Sequence, residues 1–193
     1  MSFLDYILFG IYPYIAIAIF LLGSLIRFDR EQYTWKSDSS QLLKRGQLRW
    51  GSNLFHIGII GLMFGHAVGL LTPHEVYHAM GLSTELKQLI AMVAGGIMGS
   101  ICLAGVLLLV HRRLTEPRIL ATSTRMDIFI LLWILATLCL GLFSIVISSQ
   151  HMDGSVMLLL ADWAQHIVTF RAGAAELLTN VSVFYKIHLF FGM

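Results

Sequence analysis

His56 and His66 stand ten residues apart in an apolar run, Leu54 to Leu71, that contains no Lys, Arg, Asp or Glu, and His188 lies in a second apolar run far downstream. Ionisable groups at membrane depth are expensive, and they mark function by default. Neutral imidazole is a common metal ligand, and a haem iron accepts one from each of two facing helices. The chemistry on offer is therefore electron carriage by haem. No Cys-x-x-Cys-His sequence is present, so such a haem would be held without covalent attachment, as a b type.

Along a helix ten residues rise about 15 Å and leave the two azimuths about 80° apart. His56 and His66 cannot share one iron, but they could serve two, one near each membrane surface. A packing histidine bonded to a neighbouring carbonyl or hydroxyl is an equally open reading for each taken singly. Three histidines, two of them matched in depth, favour haem. Of the others, His74, His78, His151 and His166 fall in outer loops and read as solvated or interfacial. His111 lies beside Arg112 and Arg113 at a helix C-terminus, where cations suit the dipole.

The elements that must position these groups follow from composition. The chain has 193 residues, 57% of them hydrophobic and 12% charged, with a mean hydropathy of +0.78. Soluble domains carry about 25% charge, so this is an all-α, polytopic transmembrane bundle. The net charge of +2 is too small to argue for nucleic acid. Cys102 and Cys139 both sit in apolar runs, where they pack as small hydrophobes and imply no disulfide framework. No basic residue precedes the first apolar run, which is the wrong flank for a cleaved signal peptide.

A crossing needs about 20 apolar residues. Four segments fit, Tyr6 to Ile26, Leu54 to Leu71, Gln88 to Val110 and Ile128 to Ile147, and a fifth starts near Val181 and reaches Met193. That last piece would cover only about 20 Å of a core roughly 30 Å thick. The expectation is a single membrane-integral domain over 1–193 with four complete spans and a truncated fifth. Ten of the thirteen basic residues lie between spans one and two or between spans three and four, which puts those loops in the cytoplasm and the N-terminus outside. Span two then runs outward and span five inward, so His66 and His188 both lie near the outer surface and His56 near the inner one.

Gly58, Gly61, Gly65 and Gly69 crowd span two, and Gly95, Gly96 and Gly99 span three. Small residues let backbones approach in lipid. Room for a flat macrocycle is the other reading for span two, and both readings are open. Between Gln150 and Asn180, Leu159, Trp163, Ile167 and Phe170 recur near helical spacing, with Asp162, Gln165 and His166 among them. This is either an interfacial helix walling a site at the outer surface or an ordinary amphipathic connector. The loop from Arg27 to Trp50, with Tyr33, Trp35 and both charge signs, would suit a docked soluble subunit.

Several stretches taken together resemble one family: Ile11-Tyr-Pro-Tyr14, Gln32-Tyr-Thr-Trp35, Ser52-Asn-Leu-Phe-His-Ile-Gly58, Gly65-His66, Leu71-Thr-Pro-His74, Arg112-Arg-Leu114, Gln150-His-Met-Asp-Gly154, Trp163-Ala-Gln165, Val168-Thr-Phe170 and His188-Leu189. In order and over nearly the whole chain, they are similar to the gamma, or cytochrome b, subunits of respiratory nitrate reductases of the bacterial inner membrane. The resemblance implies a five-helix subunit that oxidises quinol near the outer surface and passes electrons through two b haems. These would go to an iron-sulfur beta subunit and a molybdenum-containing alpha subunit, which reduces nitrate. It also implies that His66 and His188 ligate the outer haem and His56 one side of the inner haem, whose second ligand would lie beyond this sequence. It assigns Lys87 to the quinol pocket. From its position alone, at the outer end of span three and roughly level with His66, Lys87 reads equally as a snorkelling interfacial lysine. The alternatives are the cytochrome b subunit of another oxidoreductase (formate dehydrogenase, hydrogenase or heterodisulfide-reductase-like) and a haem-free, proton-coupled transporter or channel.

Overall fold

In hydrocarbon the backbone has no water to bond, so a chain this apolar must close its hydrogen bonds within helices. The computed structural model, which describes residues 2–31, 33 and 43–193, does this throughout, and no strand occurs among the described residues. The helices are α1 (Phe3–Arg30), α2 (Arg45–Leu71), α3 (His74–Ala79), α4 (Thr84–Thr115), α5 (Pro117–Thr122), α6 (Arg125–Ser148), α7 (Ser155–Val168), α8 (Ala174–Leu177) and α9 (Val183–Gly192). By length and composition α1, α2, α4 and α6 can cross a membrane.

Each of these four runs past the apolar window expected from the sequence. The extra turns are polar: α2 begins at Arg45, well ahead of Leu54, because Lys and Arg side chains reach the interface while the backbone continues its helical bonding. The fifth helix starts at Val183 rather than Val181, whose side chain is buried in the preceding connector. Gln32, Thr34, Trp35 and the following residues 36–42 of the proposed docking loop lie outside the described residues. Of the loop's aromatic residues, Tyr33 and Trp50 are both exposed.

The chain divides into two compact units. One holds most of α2 together with α4, α5 and α6. Here α2 and α4 run antiparallel and close enough for backbone contact. A methyl group on Gly58 would sit 2.5 Å from the Cys102 backbone, and one on Gly105 would strike the Phe55 amide. Gly99 similarly accepts Leu142 of α6. Cys102, Val106 and Leu138 are buried at the centre, surrounded by Phe55, Ile59, Leu62 and Leu135. Polar pins close the two ends. Gln88, 4% exposed, donates its side-chain amide to Ser148 O at 3.0 Å, Ser148 Oγ at 2.9 Å and His151 O at 2.8 Å. At the other end, buried Arg112 donates to Leu43 O at 2.8 Å, and Thr124 and Asp127 form a capping box for α6.

The second unit holds α1, α3, α7, α8 and α9. Pro13 has no N–H, so it leaves the Phe9 carbonyl without its ordinary helical donor. The helix responds with a π turn over Ile7–Ile11, and the Trp163 indole Nε1 donates to Phe9 O at 2.9 Å in a buried bond. Leaving a buried carbonyl unmet costs about 1–3 kcal/mol, so this bond ties α7 to α1. Gly154 adopts φ 73° to start α7, a conformation that side-chain-bearing residues avoid. Lys186 meets Asp5 and Phe190 meets Tyr12, so α9 runs parallel to α1.

Candidate functional site

The two histidines of α2 are exposed and share one local geometry. His56 Nδ1 lies 2.7 Å from Ser52 O, and His66 Nδ1 lies 2.7 Å from Leu62 O, each four residues back along the helix. A carbonyl can only accept, so each Nδ1 carries a proton, and in the neutral ring that leaves the lone pair on Nε2. Metal-bound histidines characteristically have this arrangement, with the second ring nitrogen donating to a carbonyl that fixes tautomer and ring direction. Ser52 Oγ adds a contact of 3.2 Å to His56.

The glycine stripe of α2 separates into two functions. Gly51, Gly58 and Gly61 are pressed against Leu109, Cys102 and Met98 of α4, whereas a methyl group on Gly65 or Gly69 would meet nothing within 4 Å. Gly65, His66 and Gly69 lie within one arc of about 100° on the helix. The lower glycines are packing residues, and the upper two leave clear space beside His66. This fits a planar group held by His66, since a side chain at either position would occupy that space. We expect Gly58→Leu to destabilise this three-helix unit by about 1–3 kcal/mol through overpacking. Gly65→Leu should leave thermal unfolding of the haem-free chain nearly unchanged while lowering haem content. Equal effects of the two on unfolding would erase the distinction.

The same contacts fix the register of the two helices. Gly58 faces Cys102, Gly61 faces Met98 and Phe55 faces Gly105, which puts Ala94 across from His66. Lys87, half-buried on the first turn of α4, is therefore displaced about 10 Å along the helix axis, toward the C-terminal end of α2, rather than level with the imidazole. Hydropathy marks which residues of a span lie in lipid, but glycine contacts set how far one helix slides along the next.

His188 belongs to the other unit, on α9, and is half-buried. In that unit the connector residues Pro73, His74, Glu75, Asp162, Gln165, His166 and Arg171 line a cavity of about 430 Å³. His74 lies 3.1 Å from Glu75 and 3.9 Å from Asp162, and Gln165 donates to Leu70 O at 3.1 Å. Buried Tyr77, close by, has its hydroxyl pushed above its ordinary pKa by loss of water, so it stays neutral. Phe170 lies beyond the end of α7 at φ 55° and stacks on Tyr14 with ring centroids 5.5 Å apart. His111 takes its Nδ1 contact from Gln47 at 3.0 Å.

Among the described residues no three His, Cys, Asp or Glu side chains converge as a cage for a bare ion. Axial ligation of haem requires only one imidazole on each side. The residues that sequence reasoning missed are the Leu62 and Ser52 carbonyls and Gln88. A backbone acceptor leaves no trace in residue type, and Gln88 reads as an ordinary interfacial amide until its three acceptors are seen.

The sequence profile of the family described as nitrate reductase gamma subunit matches residues 5–193. The chain is 51% identical to the respiratory nitrate reductase 1 gamma chain of Escherichia coli, over its whole length and 85% of that relative. It is 50% identical to the respiratory nitrate reductase 2 gamma chain of the same organism with the same coverage. The nitrate reductase gamma chain of Bacillus subtilis is 34% identical over 96% of this chain and 83% of its own length.

Proposed function

The chain belongs to the family of nitrate reductase gamma subunits, and from that premise we propose that it oxidises quinol near the outer face of the bacterial inner membrane and delivers electrons inward. It is a membrane cytochrome b subunit of a respiratory nitrate reductase with alpha and beta partners. The beta subunit would take the electrons through iron-sulfur groups, and the molybdenum-containing alpha subunit would reduce nitrate. The 193 residues act in this as one membrane-integral domain.

The observation that carries the reading is the matched pair of Nδ1-to-carbonyl bonds on α2, which turn the lone pairs of His56 and His66 outward from the helix. His66 and His188 would hold the outer haem from its two sides, and His56 one side of the inner haem. When bound, b haem supplies one-electron acceptance and release. Lys87 holds a quinol oxygen by its ammonium, which lowers the energy of negative charge as a hydroxyl proton leaves. His74, Glu75, Asp162 and His166 are outer-side groups able to receive protons. Protons released outside and electrons delivered inside separate charge across the bilayer, which is worth about 2.3 kcal/mol per charge at 100 mV.

Optical redox titration of membranes containing the assembled complex tests this directly. The expected spectrum is low-spin b haem that is reduced by added quinol and reoxidised by nitrate. A chain without Soret absorbance would instead be a haem-free proton carrier, and the reading would fail.

A further inference from the structure

The face of α9 that meets α1 is defined by two contacts. Lys186 Nζ pairs with Asp5 Oδ1 at 3.1 Å, and the Phe190 ring lies 5.3 Å from that of Tyr12. Lys186 and Phe190 are four residues apart and about 40° from each other around the helix, whereas His188 lies about 200° from Lys186. The imidazole thus leaves α9 on the side turned away from α1.

Of the two contacts, the aromatic one tolerates sliding and rotation, because ring pairs accept a range of offsets. The ion pair is more exacting. Asp5 is held at both oxygens, since Ser2 Oγ donates to Oδ2 at 2.9 Å while Lys186 takes Oδ1, and Ser2 Oγ in turn accepts from the Asp5 amide at 3.0 Å. The pair is largely shielded, with side-chain exposures of 15% for Lys186 and 23% for Asp5. Shielded pairs are screened less than surface ones. A slip of α9 by one residue would turn His188 by about 100°.

We propose that Asp5 and Lys186 are positioning residues for His188: their ion pair fixes the rotation of α9 and so aims the imidazole at its iron. This rests on the reading of His188 as a haem ligand and adds a role for two charges that the quinol chemistry does not use.

The test uses the assembled complex, with Asp5→Asn and Lys186→Met made separately, Lys186→Arg as the conservative variant, and the reversed pair Asp5→Lys with Lys186→Asp. The readouts are the electron paramagnetic resonance g-values of the outer haem and the fraction of reduced haem that binds carbon monoxide. Each neutralising variant should shift the low-spin g-values and raise the carbon monoxide fraction several-fold, and Lys186→Arg and the reversed pair should restore both. Native g-values in the assembled neutralised variants would overturn the proposal. If those variants do not assemble, a reversed pair that also fails to assemble overturns it as well. Outer haem persisting in His188→Ala would instead show that the haem assignment is at fault.

Discussion

Replacing His66 or His188 with alanine is expected to remove the low-spin signal of the proposed outer haem and with it nearly all quinol-driven nitrate reduction. Loss of one axial imidazole leaves iron five-coordinate at best, and b haem has no covalent tether to retain it. His56→Ala should spare the outer signal, because ten residues of α2 separate the two positions by about 15 Å. For His66 the loss has a second cause. Its Nδ1 bond to Leu62 O, at 2.7 Å, holds the ring in one tautomer and direction, so even a replacement able to ligate would have to reproduce that bond. Haem content by pyridine haemochrome together with electron paramagnetic resonance decides the matter. Full low-spin content in both alanine variants would remove these residues as ligands.

The second large effect is expected at Lys87. Lys87→Ala should lower quinol-dependent turnover by about a hundredfold or more, the scale of losing one preorganised charge-stabilising donor, while the b-haem spectrum is unchanged. An artificial electron donor that bypasses the quinol pocket should support normal nitrate reduction in the same variant. Lys87 lies about 10 Å along the helix axis from the His66 level by helix register, so the proposed role for it is contact with substrate or a haem margin rather than with iron. Normal turnover with quinol would leave it as an interfacial lysine.

How much of this was legible in the sequence depends on the kind of interaction. The four long helices follow from hydropathy alone, since a continuous apolar run has only one way to satisfy its backbone in lipid. Their ends were not, because polar turns such as Arg45 to Asn53 continue the helix beyond the part that lipid requires. The histidines stood out as ionisable residues in apolar runs, but the carbonyls that orient two of them are invisible in a string of side chains. The glycine stripe was visible as a stripe. Its division at Gly65 was not, because that depends on where α4 stops touching α2. Lys186 stands in the sequence as an ionisable residue within the fifth apolar run, but nothing in the string links it to Asp5, 181 positions away. Pro13 and Trp163 each fell in a motif used to recognise the family, yet nothing in either motif indicates that one creates an acceptor that the other fills.

That last pairing bears on how the protein is made. The Phe9 carbonyl lies on α1, and the indole that satisfies it is encoded 154 residues later. While α2, α4 and α6 are being synthesised α1 must carry an incomplete turn, and it reaches its final form only when the connector containing α7 arrives. Biogenesis of this subunit therefore has a built-in order, in which α1 settles only after α7 has been made.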